Sequence, residues 1–132
     1  MRLLTWPTRY AELCSERITA PFEWGVNDCC LWAADCVEAL TGVDYAAAWR
    51  GTYSAAAGAA RLMDELGGVR AIATGALGDA VSPLLAGVGD LVLIEQGGRE
   101  MLGVCNGAEA LVVGPAGLEA VSMPSARAAW RV

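Results

Sequence analysis

Apolar positions follow a helical period in the first half of the chain and a strand period in the second. From Pro7 to about Thr19, Tyr10, Leu13, Cys14 and Ile18 fall on one face of a helix whose first turn accepts proline. Ala20-Pro21 stops it, because proline disfavours helix in the residue before it. Asn27 or Asp28 caps the next helix, which runs to Thr41 and ends at Gly42. There Cys30, Ala33, Val37 and Leu40 form one apolar stripe and Cys29, Trp32 and Cys36 a second beside it. A helix apolar over most of its circumference belongs at the centre of a domain. Residues 45–53 read as a short turn of helix plus loop. Ser54 is the expected cap of a third helix, Ala55 to Leu66, which ends at Gly67-Gly68.

From Val69 onward, glycine spacing and β-branched residues predict strands. The clearest is Asp90 to Glu95, joined through the hairpin turn Gln96-Gly97-Gly98-Arg99 to Met101–Cys105. Further turns at Asn106-Gly107 and Gly114–Gly117 lead into Ala110–Val113 and Leu118–Met123, and Ala128–Val132 is the expected edge strand. The reading is one α+β domain over residues 1–132, with a helical half of about 1–68 and a strand half of about 69–132. N-terminal helices are expected to pack on a small antiparallel sheet or partial barrel.

Composition narrows the function classes. The chain is 55% hydrophobic and 18% charged, which excludes disorder, and its net charge of −6 offers no footprint for nucleic acid. No window approaches the roughly 18 apolar residues of a membrane helix, and Met1 to Pro7 has no apolar core for a signal peptide. The chain is therefore expected to fold in the host cytoplasm, without membrane contact.

The five cysteines are odd in number and lack paired C-x2-C spacing, so no metal or other cofactor is expected. Cys14, Cys36 and Cys105 read as small buried hydrophobes. Cys29 is different. It lies in the first turn of the central helix, where the helix end and free N–H groups favour a thiolate and can hold an oxyanion. Asp28 beside it opposes ionisation unless its carboxylate is committed to capping. Trp24 and Asp28 are candidates for the wall of a cleft at Cys29. Yet the chain contains no histidine, the base a thiol nucleophile ordinarily uses.

Trp24-Gly25-x-x-Asp28-Cys29, the apolar helix, Gly89-Asp90-Leu91-Val92 opening a strand, Leu102-Gly103-Val104 and Gly107 together resemble the NlpC-type cell-wall peptidases. The resemblance implies a papain-like fold with Cys29 on the nucleophile. It also puts Met101 where the catalytic histidine would stand and Val113 near the third, imidazole-orienting position. Losing the base costs several orders of magnitude in rate. Substitutes among Asp90, Glu95, Glu100 and Glu109 are poor, since carboxylates near pKa 4 match badly with a thiol near 8.5.

A resemblance covering more of the chain is to small phage and prophage proteins with this fold. It is carried by Phe22-Glu-Trp-Gly-Val-Asn-Asp-Cys-Cys30, Thr41-Gly-Val-Asp44, Arg50-Gly-Thr-Tyr53, Gly89–Val92 and Leu102-Gly-Val-Cys-Asn-Gly107. Their genes tend to lie among tail genes. The resemblance implies a tail-associated protein and brings no established activity. With both relay positions apolar, the leading expectation is a catalytically degenerate component of a phage tail tip or baseplate, with other tail proteins as partners and the virion tail as final location. Two alternatives stand beside it. One is an active thiol peptidase or amidase that cuts peptidoglycan stem peptides with a non-histidine base, and the other is a module that binds peptidoglycan without cleaving it.

Overall fold

The computed structural model describes residues 1–132. Four helices come first: α1 (Trp6–Arg17), α2 (Cys29–Thr41), α3 (Ala56–Leu66) and α4 (Val69–Leu77). Five strands follow: β1 (Leu91–Gln96), β2 (Arg99–Cys105), β3 (Glu109–Gly114), β4 (Gly117–Ser122) and β5 (Ala126–Trp130). They form one antiparallel sheet in the order β4-β3-β2-β1-β5. The chain is α+β, and the sheet is open, with β4 and β5 at its edges, where a partial barrel was the alternative. Val81 extends the β5 edge by exchanging backbone bonds with Ala129 at 2.7 and 3.0 Å.

The central helix has the bounds its sequence predicts. The Asp28 carboxylate accepts from the Leu31 N–H at 3.0 Å, and Gly42 ends α2 with its N–H on the Glu38 carbonyl. Asn27 is the other cap candidate and has a different task. Its amide donates to the Ala20 and Pro21 carbonyls and accepts from Arg17, which fixes the loop that enters α2.

The core lies between α2 and one face of the sheet. Cys30, Trp32, Ala33, Cys36, Val37 and Leu40 pack with Leu91, Leu93, Leu102, Val104 and Trp130. The alternate residues Val92, Ile94, Cys105, Ala110, Val112 and Ala129 form a second cluster on the other face, under Val81, Ala86 and Met123. Leu91 to Ile94 is thus an unbroken apolar run because both faces of β1 are covered.

The expected boundary at about residue 68 is wrong. Val69–Leu77 is a helix, so the helical part reaches Leu77 and the strands begin at Leu91. Val69, Ile72, Ala73 and Leu77 all pack on the main core at helical spacing, which outweighs the β preference of single residues. Gly67 and Gly68 break α3 from α4 and do not lead into the sheet. Two smaller corrections concern helix ends. Ala55, not Ser54, occupies the cap position of α3 and makes no side-chain cap bond, and α1 stops at Arg17, short of Thr19.

Asp90, at the start of β1, holds the two chain ends together. Its carboxylate accepts from Arg2 and from the N–H groups of Gly87 and Val132, each at 2.9 Å. Arg2 also donates to the Val88 and Val132 carbonyls and lies over the Trp6 ring.

Candidate functional site

β2 and β3 pair only at Val104↔Leu111 and Cys105↔Ala110, and then part. A Cβ on Gly103 would come within 3.0 Å of Val112 and 3.1 Å of the Leu111 carbonyl oxygen, so a glycine there lets the strands cross closely. The start of α2 occupies the divergence. The Trp32 indole N–H donates to the Leu111 carbonyl at 3.0 Å, and the Leu102 backbone comes near the Cys29 thiol.

Two adjacent thiols share this place but not their surroundings. Cys29 is partly exposed, whereas Cys30 is buried, and the two sulfurs lie 4.0 Å apart. The contact with the Cys30 thiol is the main influence lowering the Cys29 pKa. The N–H groups of Leu102 and Cys30 act in the same direction, while burial and the Asp28 charge oppose it. Cys30 moves the other way, well above an ordinary thiol, because its contact with the Cys29 sulfur and its burial both favour the protonated form. The result is a thiolate-prone Cys29 beside a neutral donor.

Asp28 is fully occupied. Besides capping α2 it accepts from the Gly25 N–H at 3.0 Å and from the Tyr53 hydroxyl. The Asp28 carboxylate and burial push the Tyr53 phenol well above its usual range, so it stays a donor. Gly25 has φ +79°, and a Cβ there would collide with the Tyr53 carbonyl oxygen. The Trp24-Gly25 turn and the Arg50–Tyr53 loop are therefore two layers of one wall. Arg50 anchors that loop through Asp44 at 2.7 Å and Asp35 at 2.5 Å, and Arg17 pairs with Asp35 from the other side.

Two cavities meet at Cys29. One, of about 500 Å³, is bounded by Phe22, Trp24, Met101, Val113 and Pro115. The other, of about 360 Å³, runs over Tyr53, Ala56, Ala60, Met63 and Val69. Trp24, Cys29, Arg99 and Glu100 border both, so a groove passes the thiol on either side. Cys29, Trp24, Met101 and Val113 are brought together around the first cavity, and Asp28 borders the second. Met101 also leans on the cluster of the far sheet face, whereas Val113 leans on the helix-side core.

No substitute base bonds to the thiol; among side chains only Cys30 does so. Asp90 is held by Arg2, and Glu95 is exposed beside Arg127 at 3.9 Å. Glu100 borders the groove, while Glu109 opens β3 at the surface. Trp32 is fully buried core, as its helical position predicts. Cys36 and Cys105 are buried and Cys14 partly so, and all five cysteines are free. Phe22, Pro115 and Tyr53 were not among the expected site residues. Tyr53 had a signal in the Arg50-Gly-Thr-Tyr53 motif, but the partner that gives it a role lies 25 residues away in sequence.

A family model described as Domain of unknown function (DUF6950) matches residues 1–132. The chain belongs to that family. For DUF6950 the match spans both walls of the groove, from the Trp24-Gly25 turn to Val113. No curated protein matches the chain.

Proposed function

We propose that the chain is a catalytically degenerate cysteine-peptidase-like domain of NlpC type, serving in a phage tail tip or baseplate or in its assembly. The observation that carries the degenerate reading is the cavity at Cys29. A thiolate-prone cysteine opens the central helix in a groove bordered by Met101 and Val113, the residues that the motif resemblance puts at the relay positions. An amide needs a proton delivered to its departing nitrogen, and neither side chain can supply one. The motif resemblance supports the tail assignment. So do the exposed apolar residues Leu4, Val43, Leu84 and Leu85, which a partner subunit would cover.

Immunogold labelling of purified particles tests the tail reading, with grains expected at one end of the tail. A protein found only in the soluble fraction of a lysate that yields complete particles would overturn it. Digestion of isolated peptidoglycan tests the degenerate reading. No new amino termini should appear, and release of stem peptides that stops in Cys29→Ala would make the chain an active peptidase.

A second reading is favoured by the continuity of the groove on both sides of Cys29, the shape that seats an extended chain across one point. In it the domain holds a peptidoglycan stem peptide without cutting it. Calorimetry with soluble muropeptides separates this reading from a purely structural role, which gives no heat.

A further inference from the structure

We propose that Cys29 accepts an acyl group from a thioester or similarly activated acyl donor, whose leaving group departs as an anion, and that the acyl chain seats against Phe22, Trp24, Met101, Val113 and Pro115. This rests on reading the groove as a substrate cleft, and it names the substrate class left to a cleft without an imidazole.

A histidine beside a nucleophilic thiol does two things. It removes the thiol proton, and it later protonates the leaving group. The first task has a substitute here. The Cys30 sulfur lies 4.0 Å from the Cys29 sulfur, and the backbone N–H groups of Leu102 and Cys30 favour its anion, so the anion is held without a base. The second task has none, because Met101 and Val113 on the cavity wall carry no dissociable proton and Glu100 at its border makes no bond to Cys29. A thiolate leaving group needs no proton to depart, whereas an amine does. The structure therefore separates donors by leaving group.

The walls suit an acyl chain. Five of the residues around the 500 Å³ cavity are Phe22, Trp24, Met101, Val113 and Pro115, with Arg99 and Glu100 the charged pair at its border. Phe22 and Trp24 meet edge to face at 4.7 Å, which gives the apolar wall a fixed shape. In the reaction the Cys29 thiolate attacks the carbonyl carbon, forming the new sulfur–carbon bond. The oxyanion lies near the Cys29 N–H at the start of α2, since the Leu31 N–H is already held by Asp28. The old carbon–sulfur bond then breaks, and the departing thiolate takes a proton from solvent. Nothing is oxidised or reduced. Water attack on the product would again need a base, so the S-acyl protein accumulates.

The test is mass spectrometry of the intact chain, followed by peptide mapping, after incubation with an octanoyl thioester of N-acetylcysteamine or with the matching octanoyl amide. The thioester should label Cys29 about tenfold faster than Cys14 in the same molecule, since the thiolate fraction sets the rate. The amide should give no label. Trp24→Ala should slow labelling, and far-ultraviolet circular dichroism checks that this variant is folded. Equal labelling of Cys14 and Cys29, or labelling by the amide, would overturn the proposal. Failure to acylate a Cys29 that iodoacetamide still alkylates would overturn acyl transfer and leave the cleft standing. Failure of both reagents would overturn the cleft.

Discussion

The two walls of the groove are built on opposite plans. On the helical side, Asp28 has three donors, Tyr53 and Gly25 interlock, and Arg50 ties the overlying loop to Asp35 and Asp44. No buried side-chain nitrogen or oxygen anywhere in the chain lacks a partner. On the strand side, Met101 and Val113 border the cavity at the same thiol and have no polar atom that can carry a proton. The buried polar groups near Cys29 are thus those that hold shape, while Arg99 and Glu100 stand at the rim of both cavities without a bonded partner. Proximity of charged residues to a cysteine is not a catalytic signature by itself; what counts is whether they have free bonding capacity.

This contrast can be broken by substitution, and the largest effects belong to the helical wall. Asp28→Ala removes a cap and orphans the Gly25 N–H and the Tyr53 hydroxyl. It should cost about 3 kcal/mol in urea unfolding, from about 1 for the cap and the remainder for the unpaired groups. Tyr53→Phe removes one of those bonds and should cost about 1 kcal/mol in the same measurement.

The acid limb of stability gives a smaller effect. Arg50 holds the Asp44 carboxyl below the usual carboxylate range, mainly through its hydrogen bond. A depressed carboxylate contributes stability that is complete above its unfolded value near pH 4 and is lost as pH falls through the lower folded value. Wild-type protein should therefore lose stability there more steeply than Arg50→Gln. The difference should stay under about 1 kcal/mol, because the pair is partly solvated. On the strand wall, Val113→Thr should cost no more than about 1 kcal/mol, since its side chain borders the cavity on one side and leans on the core on the other. A loss there as large as that of Asp28→Ala would erase the distinction between the walls.

Much of the framework was legible because short-range signals agreed. Asp28 and Gly42 bracket α2, and the β1–β2 hairpin turns at Gln96 to Arg99 as expected. α4 was missed for a physical reason: Gly67-Gly68 and Gly75 punctuate a short apolar segment in the way strands are punctuated, and only packing shows its helical period. In the site, Cys29 and Trp24 could be found from the turn that precedes the helix. The Tyr53–Asp28 bond, the Arg50–Asp35 pair and the approach of the Leu102 N–H to Cys29 could not. Each joins residues that only the completed fold brings together.

The central claim is that Cys29 ionises with the help of Cys30 and backbone N–H groups, without a base. The direct measurement is the pH dependence of Cys29 alkylation by iodoacetamide, followed by peptide mapping in wild type and in Cys30→Ala. We expect the wild-type midpoint to lie below the value of about 8.5 for a free thiol, and to rise when the Cys30 donor is removed. A wild-type midpoint at or above that value, unmoved by Cys30→Ala, would contradict it.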